Sequence, residues 1–346
     1  MHLVGGITCS QYRDTQAHDE ECNAAHIRIL RCCYFPISLA AIVYLISNFY
    51  SSLSDAVLAM FDNLAQKIPT QVIEYLGVKI SIKRLDAIHS HISGNKFFKL
   101  KYNLHAAIQQ GYREILTFGG AYSNHIAASA FAAQHLGLKS IGIIRGLELK
   151  DQPLNPTLTT AHSLGMQLEF VSRQDYRQKD QPEFLARLQG SYPNAYILPE
   201  GGSNALAIQG CREILTVQDQ GFDIICCAVG TGATISGIIE ASHEQQHILG
   251  FSALKGDFLS QDVAQMTHKR NWSIHDEFCC GGYAKTTPEL IDFIQKFEKD
   301  HAIPLEQIYT GKMLYGIFQM IERGELKAQQ KILVIHSGGL QGRNIA

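Results

Sequence analysis

The sequence has almost no net charge, since its 346 residues include 30 basic and 32 acidic side chains, a formal charge of −2. A chain without a basic excess has no electrostatic reason to bind nucleic acid. We therefore expect no nucleic-acid partner and interpret the short basic runs at 83–84 and 268–270 as solvated surface. The hydrophobic content of 46% is enough to bury a core in one or two domains.

The nine cysteines lack any C-x-x-C spacing, which argues against a zinc site and against a thioredoxin-type motif. Three adjacent pairs and an odd total are a poor basis for a disulfide framework and favour reduced thiols in a cytoplasm. Cys226 and Cys227 stand inside an apolar run, where cysteine behaves as a small hydrophobe. We predict no metal site and a cytoplasmic location.

Long hydrophobic runs are scarce as well. Residues 35–50 form one that is short of the roughly twenty residues a membrane-spanning helix needs, and it starts too deep for an ordinary signal peptide. It could be a membrane anchor, an extra docked helix, or part of an upstream extension, residues 1–59, that contributes nothing to the fold. We favour the extension, with the true start at Met60, because clear patterning begins there. A membrane partner is not expected.

Beyond Met60 the chain alternates apolar extended runs with helical patterns. Strands are predicted at 78–82, 114–118, 140–144, 168–171, 195–198, 224–229 and 331–336. Helices are predicted at 97–110, 124–136 and 155–164, each closed by a glycine. This β-α-β-α order predicts an α/β fold with parallel sheets and helices on both faces. No linker separates two domains, so they would have to interdigitate, and residues 253–282 carry few signals.

Residues 229–237 read V-G-T-G-A-T-I-S-G, directly after a buried strand and at the start of a helical pattern. Glycines let backbone N–H groups turn toward an anion, and the helix N-terminus adds a favourable dipole. The third glycine of a dinucleotide fingerprint and the G-K-[S/T] of a Walker loop are both absent. The run is interpreted as a cup for one phosphate group, with a ligand-free turn as the alternative.

Four further runs carry candidate chemistry. Lys96, in S-G-N-K-F-F-K-L, precedes a helical pattern among apolar neighbours, where burial can keep its amine neutral and nucleophilic. Ser123 and Asn124, in F-G-G-A-Y-S-N-H, offer a hydroxyl and an amide at another helix start, although helix capping is a common use of both. Y-T-G-K at 309–312 and H-S-G-G at 336–339 could each be only a turn.

As a set, these five runs and E-G-G-S-N at 200–204 are highly specific. From Met60 onward the sequence resembles the 1-aminocyclopropane-1-carboxylate (ACC) deaminase/D-cysteine desulfhydrase family, within the tryptophan-synthase-β-like group of pyridoxal-phosphate (PLP) enzymes. The resemblance implies PLP, a homodimer and fold type II, with two interdigitated three-layer α/β/α domains and mainly parallel sheets. It implies a large PLP-binding domain at 60–102 and 186–346 and a small domain at 103–185.

The resemblance also implies site residues. Lys96 matches the Schiff-base lysine, Ser123 a serine that contacts the substrate, and Tyr309 the active-site tyrosine. Asn124 matches an asparagine at the ring oxygen, and Tyr283 a second tyrosine on the substrate side. The other implied cofactor residues are Gly230, Thr231, Gly232, Ala233 and Thr234 of the phosphate loop, with Thr310 and Ser337. Tyr122 borders the pocket where relatives often carry glutamine, which leaves the substrate size open.

Two positions distinguish the branches of the family. In ACC deaminases a glutamate follows the active-site tyrosine and the last motif reads H-L-G-G, whereas this chain has Thr310 and Ser337. A carboxylate near the pyridine nitrogen makes PLP a strong electron sink, and a hydroxyl leaves it a weaker one. Expelling sulfide, a good leaving group, needs a weaker electron sink than opening a cyclopropane ring.

We therefore expect a PLP-dependent lyase, D-cysteine desulfhydrase-like, that converts a small (D-)amino acid into a 2-oxo acid, ammonia and sulfide. Lys96 would take the α-proton, while Ser123 and Tyr309 orient the substrate. ACC deamination to 2-oxobutanoate is the alternative. A D-serine dehydratase, a racemase and a non-catalytic PLP-binding protein also stay open.

Overall fold

The computed structural model describes residues 55–65 and 67–343, and the interpretations of residues 1–54, including the run at 35–50, lie outside this part. Residues 55–64 are helical, and Val57 and Phe61 are fully buried. The ring of Phe61 packs edge-on against Phe97 with the centroids 5.0 Å apart. The expectation that residues up to 59 contribute nothing to the fold is therefore corrected for 55–59, because Val57 belongs to the core.

Ten strands form two sheets in the described part of the chain. They are β1 (Thr70–Tyr75), β2 (Val78–Arg84), β3 (Glu114–Gly119), β4 (Lys139–Arg145), β5 (Met166–Val171), β6 (Ala195–Leu198), β7 (Ile224–Val229), β8 (His247–Ser252), β9 (Trp272–His275) and β10 (Ile332–His336). The larger sheet has the order β1-β2-β10-β7-β8-β9, and the smaller has β5-β4-β3-β6. Every pair except the β1–β2 hairpin is parallel.

Helices cover both sheets. They are α1 (Asn95–Gln109), α2 (Asn124–His135), α3 (Pro156–Ser163), α4 (Arg173–Tyr176), α5 (Pro182–Ser191), α6 (Ala205–Cys211), α7 (Ala233–Ala241), α8 (Phe258–Met266), α9 (Pro288–His301) and α10 (Thr310–Glu322). The predicted α/β class is confirmed, and each predicted element is present with its ends moved by no more than two residues. Between residues 55 and 343, no helix that the structure describes has the length and apolar character to cross a membrane.

Strand β7 shows why the larger sheet carries helices on both faces. Its six residues, I-I-C-C-A-V, are all buried, and alternate side chains point to opposite faces. Ile225 and Cys227 join the core cluster that includes apolar residues of α1 and α7, whereas Cys226 joins the cluster that includes residues of α9 and α10. A fully apolar run is what a strand covered on both faces requires.

Several elements were not predicted from the sequence, among them the six-residue strands β1 and β8 and the helices α9 and α10. Strand β9 and helix α8 both lie within 253–282, and Trp272 begins that four-residue edge strand. The predicted domain division at 102/103 and 185/186 stays a prediction. Strand β6, which that division gives to the large domain, pairs with β3 in the smaller sheet.

Candidate active site

One cavity of about 810 Å³ is bordered by the loops that follow the carboxyl ends of strands in both sheets. Parallel sheets commonly bind ligands at this edge. Eleven of the predicted site residues line the cavity: Lys96, Tyr122, Ser123, Asn124, Gly230, Thr231, Gly232, Thr234, Tyr283, Tyr309 and Ser337. Ala233 and Thr310 are not part of its lining.

Lys96 is the second residue of α1, and a backbone contact fixes where this helix starts. Gly94 precedes it with φ +64°, and a Cβ there would lie 1.9 Å from the carbonyl oxygen of Ser337. The Asn95 N–H donates to the same carbonyl at 2.9 Å. The S-G-N-K and H-S-G-G runs therefore depend on each other, because β10 lies beside β2 and brings Ser337 under Gly94.

The environment of Lys96 favours its neutral amine. Burial and the neighbouring ammonium of Lys99 lower the pKa of Lys96 to about 7, while Cys211 and Glu200 act in the opposite direction. Lys96 Nζ also lies 3.9 Å from the position that a Cβ on Gly201 would occupy. The side chain can therefore exchange a proton near physiological pH, as a nucleophilic or basic lysine must.

Lys99 is a site residue that the motif analysis left without a role. Its side chain is only 2% exposed, and its Nζ donates to the hydroxyls of Ser203 at 3.0 Å and Thr231 at 3.3 Å. Burial lowers the pKa of Lys99, and these two partners are neutral. A buried ammonium without an anion, placed at a glycine turn, fits a phosphate group as the missing counter-charge.

The glycine turn at 230–234 has the predicted form. It follows β7 and opens α7, whose N-cap Gly232 has φ +83°, so the first N–H groups of α7 are free of intrahelical partners. The side chain of Asn95 donates to Thr234 Oγ1 at 2.9 Å, which ties the turn to the start of α1. A Cβ on Gly230 would lie 2.9 Å from the ring of Tyr309, so this glycine makes room for an aromatic ring.

Ser123 and Asn124 have the capping geometry expected of such residues and also line the cavity. Ser123 is the N-cap of α2, and its hydroxyl accepts a hydrogen bond from the Ile126 N–H at 3.3 Å. Asn124 Oδ1 accepts from the Gln341 N–H at 3.1 Å. A Cβ on Gly339 would lie 2.8 Å from Asn124 Nδ2, so the last motif also shapes this corner.

His125, which the sequence patterns did not single out, has a defined tautomer. Thr117 donates its hydroxyl hydrogen to the Leu198 carbonyl at 3.0 Å, so its oxygen accepts from His125 Nε2 at 2.8 Å. Burial, with Lys96 and Lys99 nearby, holds the pKa of His125 well below its ordinary value. The ring is therefore neutral, and its Nδ1 has no partner among the described residues.

The Tyr309–Thr310 turn differs from its predicted role at one position. Tyr309 lines the cavity, its ring centroid lies 6.2 Å from that of Tyr283, and burial together with Tyr283 raises its pKa well above the ordinary value. The Thr310 side chain is fully buried, and its hydroxyl bonds the carboxylate of Glu306 at 3.2 Å. Thr310 is therefore corrected from a cofactor-facing hydroxyl to a residue that helps to hold the turn.

Glu306 fixes this turn as a buried cap. Its carboxylate oxygens accept from the N–H groups of Ile308 at 2.6 Å, Tyr309 at 2.7 Å and Thr310 at 2.6 Å. Burial raises the pKa of Glu306 against these hydrogen bonds, which favour the ionised form. The capping carboxylate sets the position of Tyr309 at the start of α10.

The cavity has two unlike walls. We define the inner wall as Lys96, Lys99, the turn 230–234 and Ser337. Lys99, Thr234 and Ser337 are at most 7% exposed, Lys96 is half-buried and Thr231 is exposed. We define the outer wall as Tyr122, Arg145, Glu200 and Tyr283; Tyr122 is 60% exposed and Tyr283 is 48% exposed. The inner wall can hold an anionic cofactor beside an amine, and the outer wall faces the solvent from which a ligand would enter.

The sequence patterns gave no role to Lys99 and Arg145, and they included Glu200 only as the first residue of the E-G-G-S-N run. Lys99 follows Lys96 by three positions, which puts both on one helix face, and this spacing was the available signal. Arg145 ends β4 and Glu200 follows β6, so only the pairing of both strands with β3 brings them to one edge. No local signal in the sequence indicates that Arg145 and Glu200 meet at one edge of the sheet.

Comparisons with known proteins give one family. The family described as "Pyridoxal-phosphate dependent enzyme" matches residues 66–338. The bifunctional D-cysteine desulfhydrase/1-aminocyclopropane-1-carboxylate deaminase, mitochondrial, of Arabidopsis thaliana is 30% identical over 77% of this chain and 73% of its own length. The crystal structure of an ACC deaminase homologue is 26% identical, with a TM-score of 0.72 over 84% of this chain and 95% of that one. Threonine deaminase isoform 2 of Solanum lycopersicum, 17% identical with a TM-score of 0.59 over 84% of this chain and 85% of that one, shares the fold.

Proposed function

This chain belongs to the family of pyridoxal-phosphate dependent enzymes, and we propose that it is a lyase that eliminates sulfide from D-cysteine. The products would be pyruvate, ammonia and sulfide, with one water consumed. The proposal keeps the predicted branch but changes the observation behind it, because Thr310 is buried behind the cavity wall.

The observation that carries the proposal is the lack of a free carboxylate in the described cavity lining. Glu200 is its only acidic side chain, and the hydroxyl of Tyr176 at 2.6 Å and the ammonium of Lys179 at 3.3 Å already engage it. Glu306 lies behind the wall and accepts three backbone hydrogen bonds. A cofactor ring nitrogen would then have no carboxylate to protonate it, which suits a substrate with a good leaving group.

The residues present fit pyridoxal phosphate. The ammonium of Lys99 and the N–H groups of the turn 230–234 would hold its phosphate, and Lys96 would bind its carbonyl carbon. When bound, the cofactor supplies an electron sink that acidifies the α-carbon of an amino acid. The other requirements of the reaction fall to the side chains of the chain itself.

Lys96 Nζ is the proposed proton acceptor. With its pKa lowered to about 7, a large fraction of this amine is unprotonated at neutral pH and can remove the α-proton. The hydroxyl of Tyr309 stays protonated, because burial and Tyr283 raise its pKa, and it can donate a hydrogen bond to the substrate or to the departing sulfur. Ser123 would orient the substrate at the start of α2.

Product analysis tests the proposal. The purified holoenzyme is given D-cysteine, L-cysteine or ACC, and sulfide, pyruvate and 2-oxobutanoate are measured separately. We expect kcat/KM for D-cysteine to exceed that for ACC by at least about tenfold, which corresponds to about 1.4 kcal/mol in the barrier. Product from ACC alone, or equal kcat/KM on both substrates, would overturn the assignment.

ACC deamination is the second candidate, and a specific observation favours it. The Arabidopsis thaliana relative is named for both activities, and the solved structure that is 26% identical is that of an ACC deaminase homologue. The same Lys96 amine and Tyr309 hydroxyl would serve ring opening. Release of 2-oxobutanoate in the assay above distinguishes it from sulfide elimination.

A further inference from the structure

The carboxyl edge of the smaller sheet presents three side-by-side features to the cavity. The strand order β4-β3-β6 places Arg145 at the end of β4, Gly119 at the end of β3 with Gly120 directly after it, and Glu200 just after β6. All except Gly119 belong to the cavity lining. A cation and an anion therefore flank a glycine turn at the edge where parallel sheets bind ligands.

The two charged side chains differ in whether they already have a partner. Glu200 accepts from Tyr176 and pairs with Lys179, so its charge is balanced within the protein. Arg145 stacks over the ring of Tyr176 at 5.8 Å, and no carboxylate of the described residues lies within ion-pair distance of it. Arg145 is held in place by an aromatic ring, and its charge is unbalanced.

The other cations of the cavity lining have evident uses. Lys96 and Lys99 face the cofactor region, and Arg343 pairs with Glu298 and donates to the Leu305 carbonyl. Arg145 alone among them, within the described residues, has neither a carboxylate partner nor a place on the inner wall. A guanidinium in this position is suited to a planar anion, which it can bind with two parallel hydrogen bonds.

Arg145 lies directly beside the glycine turn. A Cβ on Gly120 would lie 3.7 Å from a terminal nitrogen of Arg145, which is van der Waals contact, and both residues line the cavity. Arg145 itself is exposed. Lys96 and the exposed guanidinium of Arg145 therefore face one cavity, in which an amino acid could contact both.

We propose that Arg145 selects amino acids whose side chain carries a second negatively charged group, such as a carboxylate. This inference rests on the proposed function to the extent that an amino acid occupies the cavity, and it names the class of amino acid. The neutral side chain of D-cysteine would leave Arg145 unused, so amino acids with a charged side chain should bind this cavity more tightly than neutral ones of the same shape.

Equilibrium binding to the holoenzyme tests the proposal without relying on turnover. Aspartate and asparagine have nearly the same shape, differ by one charge and carry no good leaving group at the β-carbon. Their dissociation constants, for both enantiomers, are measured from the change in the visible absorbance of the bound cofactor. We expect the wild-type protein to bind aspartate at least about tenfold more tightly than asparagine, as for a charged hydrogen bond.

Three variants sharpen the measurement. Arg145→Gln should bring the aspartate-to-asparagine ratio close to one, and Arg145→Lys should keep part of the preference because its ammonium retains charge without the planar fork. Lys150→Gln removes one exposed charge outside the cavity lining and should leave the ratio unchanged. Unfolding temperatures verify that the variants remain folded.

Two results would overturn the proposal. One is equal binding of aspartate and asparagine to the wild-type protein. The other is equal weakening of both by Arg145→Gln, which would place Arg145 at the α-carboxylate that they share. Sulfide release from D-cysteine without a preference for aspartate would support the proposed reaction and overturn this inference. A preference for aspartate without sulfide release would support this inference and overturn the proposed reaction.

Discussion

The inner and outer walls of the cavity are built in different ways. The inner wall is held by backbone contacts between motifs, such as Gly94 against Ser337, and by hydrogen bonds between side chains, such as that of the buried Lys99 to Thr231. The outer wall consists of side chains that reach out from separate strands and loops, and Tyr122 and Tyr283 are largely exposed. The difference teaches that the residues proposed to hold the cofactor are fixed by tight packing, whereas those proposed to meet the substrate can change without disturbing the fold.

Loss of the inner-wall amine should have the largest effect. Lys96→Ala should abolish covalent trapping of the cofactor by borohydride and lower kcat/KM at least about 1000-fold, because it removes both the attachment point and the proposed base. Mass spectrometry of the trapped protein measures the first, and the sulfide assay the second. Lys150→Ala, an exposed lysine, is the control. Trapping that persists in Lys96→Ala would assign the attachment to another lysine.

The backbone contact of the inner wall can be broken without touching a polar side chain. Gly94→Ala introduces a Cβ 1.9 Å from the Ser337 carbonyl at a positive φ, so we expect a loss of about 3–5 kcal/mol in unfolding free energy and weak cofactor binding. Gly77→Ala is the matched control, because its φ is also positive but no atom lies within 4 Å. It should cost about 1 kcal/mol. Equal losses in urea unfolding would contradict the contact argument.

The phosphate assignment of Lys99 is tested on the same helix. Lys99→Met should raise the dissociation constant of pyridoxal phosphate about 10- to 100-fold, since it removes the buried ammonium at the turn 230–234. Lys101→Met is the control, because Lys101 pairs instead with Asp62 and Glu213. It should lower stability and leave cofactor affinity unchanged in a fluorescence titration. Similar affinity losses in both variants would remove the special role of Lys99.

The low pKa of Lys96 makes the stability of the cofactor-free protein depend on pH. The folded pKa is about 7 and the unfolded value is 10.5, so between these values the unfolded chain binds more protons. Stability should rise with pH across this window, by up to about 1.4 kcal/mol per pH unit from this group. Lys96→Met should flatten the rise in urea unfolding at pH 7.5 and 9.5. An unchanged slope would show that Lys96 is not the group responsible.

The outer wall should tolerate change. Tyr122→Gln alters an exposed side chain at the cavity mouth, so unfolding free energy should shift by less than about 0.5 kcal/mol and cofactor affinity should stay constant. Only KM should respond, by less than about tenfold. A loss of cofactor binding in this variant would erase the distinction between the two walls.

The predictability of the molecule follows the same division. Apolar runs and glycine spacing are local signals, so the sequence located the strands at 195–198 and 224–229 and the glycine turn that follows the second of them. The strands β1, β8 and β9, the helices α9 and α10 and the helix at 55–64 were not predicted. A four-residue strand such as β9 gives too weak a period to be recognised. Thr310 was located correctly in its turn, but its hydroxyl bonds Glu306 instead of facing the cavity. This contact was not predicted, because Glu306, four residues earlier, belongs to no recognised motif.

The sequence by itself determined the α/β class, the lysine at a helix start, the glycine turn after β7 and the family to which they belong. These depend on residue types at fixed spacing along one chain, where backbone geometry is local. Tertiary structure alone decided that Ser337 supports Gly94, that Lys99 meets Thr231, and that Arg145 and Glu200 flank one turn. Those relations come from strand order, and a parallel sheet places side by side residues that are far apart in the chain.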